Sequence, residues 1–113
     1  MRDYDQYLND ILDSISWIEE YTSGMTFDQF RSDRKTVDAV VRNFEIIGEA
    51  SRHVPEELRE KYPDVEWKAM AGMRNYLAHE YFGISLEIIW RTIEERLPGL
   101  RMRIREILDE IQR

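Results

Sequence analysis

Apolar residues recur at spacings of three and four along nearly the whole chain, and strict alternation is absent, so the period is helical almost throughout. Tyr4, Leu8, Ile11, Ile15 and Ile18 form one stripe and predict an amphipathic helix over about 3–22. Gly24 is its C-terminal stop, and Thr26 to Phe30 reads as a short capped turn. Ser32 or Asp33 caps a second long helix, about 33–53, with the stripe Val37, Val40, Val41, Phe44, Ile47 and Ser51. Gly48 inside it costs about 1 kcal/mol relative to alanine, so close packing against a neighbour is expected there.

Pro55 with Glu56 and Glu57 opens a short helix that Pro63 ends. A further helix, about 64–79, follows with Asp64 as its cap, and Glu80 to Gly83 is the turn after it. Ser85 caps the last helix, about 85–112, whose stripe runs from Leu86 and Ile89 to Ile107 and Ile111. Pro98-Gly99 falls inside that stripe, so a kink or a restart is expected. There are no repeats and no linkers. The expected architecture is all-α, an up-and-down bundle of four main helices plus short ones, in one domain spanning 1–113.

Composition narrows the chemistry. With 113 residues and 42% hydrophobic content the chain can bury one core. Without cysteine it has no disulfide scaffold, thiolate zinc site or cysteine nucleophile. No window approaches the length of an apolar membrane span, and Met1 to Asp5 does not resemble a signal peptide, so a cytoplasmic protein is expected. The net charge of -7 argues mildly against unaided nucleic-acid binding. The charge is uneven, however: residues 1–40 carry nine acids against four bases, and residues 96–105 carry Arg96, Arg101, Arg103 and Arg105 with no acid. That run is either a small basic face or an ordinary solvated helix surface.

The most telling segment is Arg74-Asn75-Tyr76-Leu77-Ala78-His79-Glu80-Tyr81. On a regular helix Trp67, Met70, Ala71, Leu77, Ala78 and Tyr81 lie within about 60° of Arg74, which places a permanent cation in an apolar stripe. Such an arginine needs a carboxylate, a bound anion or a water-filled cleft. Arg74 and His79 point about 140° apart. They converge on one ligand only if the helix ends before His79, if the arginine reaches across, or if two chains share the site. Asn75, four residues before His79, is placed to orient the imidazole, and Gly72 leaves that surface open.

Histidine suits proton transfer at neutral pH and arginine suits phosphate and a charged phosphorane. Without metal ligands, the reaction this pair best supports is RNA cleavage by attack of the 2'-hydroxyl on the adjacent phosphate. A structural account stands beside it. Arg74 then pairs with Glu45 or Glu49 on the second helix, His79 is a helix C-terminal cation and Tyr81 is core. His53, beside Arg52, reads as a dipole partner of its own helix.

Arg74 to Tyr81 resembles the signature of the HEPN superfamily, in the form found in its HepT-like branch. Val40-Val41-Arg42-Asn43-Phe44-Glu45-Ile46-Ile47-Gly48-Glu49-Ala50 is similar to that branch's second helix. His79-Glu80-Tyr81-Phe82-Gly83-Ile84 with Ile88 to Trp90 is similar to its later part. The resemblance covers about residues 4–110. It implies a homodimer and a metal-independent endoribonuclease without cofactor, the toxin of a type VII-like toxin–antitoxin pair. The implied partner is a minimal nucleotidyltransferase antitoxin. Arg74 and His79 are then catalytic at the dimer interface, Asn75 supports them, and Tyr81 accepts AMP groups that block the site. The alternative is a non-catalytic helical binding module that partners the nucleotidyltransferase.

Overall fold

A computed structural model describes residues 3–79 and 83–113, with side chains from 5 to 77 and from 83 onward. Seven helices are present among them: α1 (Asp3–Thr22), α2 (Phe27–Ser32), α3 (Arg34–His53), α4 (Glu56–Lys61), α5 (Trp67–His79), α6 (Leu86–Glu95) and α7 (Leu97–Ile111). The long elements α1, α3, α5 and the α6–α7 pair are the four main helices expected from periodicity, and the fold is all-α and HEPN-like.

Local chemistry sets most of the boundaries. Gly24 follows α1 with φ +76, a backbone state that favours glycine. Thr26 and Gln29 form a reciprocal capping box at the start of α2, with bonds of 3.2 and 2.9 Å. Asp33 caps α3 by accepting from the Thr36 amide at 3.1 Å, and this backbone hydrogen bond is the main reason its carboxyl titrates below the usual range. Ser85 caps α6 by accepting from the Ile88 amide at 3.3 Å.

One boundary differs from expectation. Helix α5 begins at Trp67, not at Asp64. The Asp64 carboxylate is instead held by Arg103 of α7, at 2.7 Å from Nε and 3.3 Å from Nη2. A charge-assisted pair across the fold has displaced a local cap. The restart expected near Pro98-Gly99 is present: Arg96 ends α6 and precedes α7. Pro98 then lies in the first turn of α7, where its missing N–H leaves no helical bond unmade.

The core has α3 at its centre, packed against α1 on one side and α5 on the other. Leu8, Ile11, Ile15 and Ile18 of α1 meet Val40, Phe44 and Ile47 of α3, and Ile104, Ile107 and Leu108 of α7 close the same core. Full burial of one such side chain contributes about 1.5–3 kcal/mol. Short α2 plugs the end: Phe30 is fully buried with its ring 5.1 Å from that of Trp90 on α6.

The arginine-rich C-terminal run is not a free basic face. Arg96 pairs with Glu66 at 2.6 Å, Arg101 with Glu19 at 3.2 Å, and Arg103 with both Asp64 and Glu106. These acids come largely from α1 and the approach to α5, elements distant in sequence. Among the described residues no helix is long and apolar enough to cross a membrane.

Candidate active site

Helices α3 and α5 approach closely because Gly48 has no side chain. A methyl group there would sit 2.5 Å from Arg74 Cβ and 2.8 Å from the Met70 carbonyl oxygen. The close packing expected of Gly48 is therefore present, and the residue it admits is Arg74. The arginine stem lies directly over the glycine, which carries its guanidinium to Glu49, the next residue of α3.

Arg74 Nε lies 3.3 Å from Glu49 Oε1. Of the two carboxylates considered from sequence, Glu49 is thus the partner. Arg74 is not sunk in the core despite its place in the apolar stripe. Its side chain is 43% exposed, whereas Trp67 and Leu77 on the same helix are buried. No described residue accepts a hydrogen bond from either Nη atom. The guanidinium is anchored on one edge and open on the other.

Glu49 gathers two more basic side chains. Arg52 Nη2 donates to Oε2 at 3.0 Å, and His53 Nδ1 lies 3.5 Å from the same oxygen. The Arg52 hydrogen bond is the largest influence holding the Glu49 carboxyl below the ordinary range; burial opposes it, and the charges of Arg52, Arg74 and His53 add to it. The pairing therefore contributes at neutral pH and fades as pH falls through that lowered value. His53 Nδ1 also lies 2.9 Å from the Glu49 carbonyl oxygen, at the C-terminal turn of α3 where a cation is favoured. That agrees with the dipole role expected of it. Arg52 entered the sequence argument only as a neighbour of His53; its spacing of three from Glu49 is the signal that would have placed it here.

Helix α5 continues through His79. One of the three ways to bring Arg74 and His79 together, an early helix end, is thereby removed. Asn75 is exposed on α5, and Gly72 faces open space, with nothing within 4 Å of where its Cβ would stand. The side chain of His79 and the whole of Tyr81 lie outside the described residues. The Tyr76 hydroxyl accepts from the Ser85 amide at 2.8 Å. This bond ties the chain's return after the motif back onto α5.

A cleft of about 650 Å³ separates α5 from α6 and α7. Met70, Met73, Ile88 and Leu100 line it, and the pairs Arg96–Glu66 and Arg103–Asp64 border it. Arg74 is not among the described residues that line this cleft. No group of three or more metal-ligating side chains occurs among the described residues.

Comparison with known proteins places the motif in a family. Residues 11–107 match the family model described as Ribonuclease HepT-like. A Methanocaldococcus jannaschii protein described as a "Putative RNase" is 44% identical over 98% of this chain and 92% of its own length. A Thermococcus cleftensis protein described as "Probable ribonuclease HepT" is 42% identical over 88% of this chain and 91% of its own. A "Putative RNase" of Caldanaerobacter subterraneus is 44% identical over 92% of this chain and 93% of its own. No solved structure matches the chain. With the matched region spanning α1 to α7, the chain belongs to the HepT-like family of ribonucleases.

Proposed function

We propose that this protein is a metal-independent endoribonuclease that cleaves RNA at a site shared by two copies of the chain. The observation that carries this reading is the state of Arg74: anchored at Nε, half exposed and unpaired at its Nη edge, on a helix that runs on through His79. The two residues diverge by about 140° on that helix, so a site built from two protomers brings an arginine of one to a histidine of the other.

In the proposed reaction the 2'-hydroxyl oxygen attacks the adjacent phosphorus while a His79 imidazole takes its proton. The bond to the 5'-oxygen breaks, and an imidazolium returns a proton to that leaving oxygen. The products are a 2',3'-cyclic phosphate and a free 5'-hydroxyl. Arg74 holds the charge that gathers on the phosphoryl oxygens, with Asn75 supporting the imidazole. RNA should be cut and DNA of the same sequence left intact, with a cyclic phosphate at the new 3' end by mass spectrometry. Equal cutting of DNA would overturn the 2'-hydroxyl mechanism.

A homodimer is the expected form. Met73 and Ile88, the latter 47% exposed, present apolar surface around the cleft beside α5. Sedimentation at micromolar concentration should give twice the 13.7 kDa chain mass; a monomer there would count against the shared site.

Within the same proposal the protein is the toxin of a toxin–antitoxin pair, and Tyr81 is where a nucleotidyltransferase silences it. The Tyr81 oxygen attacks the α-phosphorus of ATP, pyrophosphate leaves, and the adduct carries a phosphate into the place where RNA phosphate binds. Co-expressed with its nucleotidyltransferase, the chain should gain AMP-sized mass that Tyr81→Phe abolishes. An adduct that survives Tyr81→Phe, or none at all, would leave inhibition to complex formation alone.

A further inference from the structure

Glu49 is surrounded by more positive charge than one carboxylate neutralises. Arg52 satisfies Oε2 at 3.0 Å. Oε1 is shut away from solvent and accepts no hydrogen bond from the described residues, yet Arg74 Nε stands 3.3 Å from it. An anionic oxygen cut off from water calls for a donor. The Arg74 Nε–H is the donor at hand, and a small rotation of the guanidinium aligns it. The close approach at Gly48 places the root of the arginine side chain beside Glu49, the next residue of α3.

We infer that Glu49 is a positioning residue for Arg74: it holds the guanidinium by Nε and presents the Nη edge to RNA phosphate. The inference rests on the reading that Arg74 binds the scissile phosphate. The fork of arginine makes this division of labour possible, since Nε and the outer Nη hydrogens face different directions. Arg52 matters to the electrostatics. One carboxylate shared by two guanidinium groups leaves net positive charge, so Glu49 orients Arg74 without cancelling its attraction for an anion. Orientation of a transition-state donor appears in kcat, whereas net charge appears in RNA affinity.

The two effects have opposite signs in Glu49→Gln, which keeps the shape and removes the charge. Relative to wild type on a short RNA, kcat of Glu49→Gln should fall about 10–100-fold from loss of orientation, while KM stays level or drops because the site becomes more positive. Glu49→Asp, with its charge restored on a shorter stem, should recover part of kcat. A merely structural residue would lower the active fraction without tightening RNA binding and without rescue by aspartate. Unchanged or increased kcat in Glu49→Gln would overturn the inference and make Glu49 a competitor of the phosphate.

A second measurement does not depend on cleavage. The Arg74 Nε–Hε resonance, assigned by its loss in Arg74→Lys, should be shifted and slow to exchange in the wild type and should lose both properties in Glu49→Gln. An unaltered resonance in Glu49→Gln would overturn the positioning role even if no RNA is cut. A wild-type protein that cuts no RNA but shows the resonance change would instead sink the nuclease reading and leave the Glu49–Arg74 anchor standing.

Discussion

His79→Ala should abolish RNA cleavage and leave the helical fold intact. His79 is the last residue of α5, and a cation at a helix C-terminus contributes about 0.3–1 kcal/mol, too little to unfold the chain. Its loss as a proton-transfer group costs about 10²–10⁴-fold in rate. Arg74→Ala should reduce cleavage by about 10²–10³-fold, the usual scale for losing one donor to a developing oxyanion. It should also alter the Glu49 cluster, although Arg52 still holds that carboxylate. Arg74→Lys keeps the charge and loses the planar fork, so it should recover only part of the activity. Cleavage by the wild type should persist in EDTA if proton transfer and arginine do the chemistry. Full activity in His79→Ala, with circular dichroism unchanged, would remove the catalytic reading altogether.

Gly48→Ala should destabilise the protein and weaken catalysis together. The new methyl would meet Arg74 Cβ at 2.5 Å and the Met70 carbonyl oxygen at 2.8 Å, and neither is the loose end of a side chain. Overpacking of this kind costs about 1–3 kcal/mol. The better helix propensity of alanine returns up to about 1 kcal/mol, so the net effect is a loss. Relief requires α5 to move away from α3, which carries Arg74 off Glu49. Gly99→Ala is the matched control: nothing lies within 4 Å of its would-be Cβ, so the same substitution in α7 should leave stability unchanged or slightly raised. Thermal melts of both variants, with activity measured well below the transition, check the pair. A Gly48→Ala protein as stable as Gly99→Ala would show that the α3–α5 contact has room to spare.

Most of the helical framework is legible in the chain itself. The three-and-four spacing of Leu8, Ile11, Ile15 and Ile18 can bury one face only as a helix, and all four are fully buried. Thr26, Asp33 and Ser85 mark helix ends because each accepts from a backbone amide three residues on, and Gly24 because it adopts a positive φ, so sequence neighbours suffice to predict them. The motif residues Arg74, Asn75, His79 and Tyr81 are equally visible, since their residue types and spacing carry the family resemblance.

What the local pattern missed depends on partners distant in the chain. Asp64 has the form of a helix cap, but Arg103, thirty-nine residues away, takes its carboxylate. The run Arg96 to Arg105 reads either as a basic face or as a solvated helix surface until folding brings Glu19, Asp64 and Glu66 against it. For Arg74 the sequence determined that a buried-stripe cation must find an anion or water, because a guanidinium cannot shed its charge. Only the tertiary structure decided between Glu45 and Glu49 and set the arginine half exposed. Helix periodicity fixes the direction in which a side chain leaves its own axis, whereas the distance between two helices is set by the packing of both, here by the missing Cβ of Gly48.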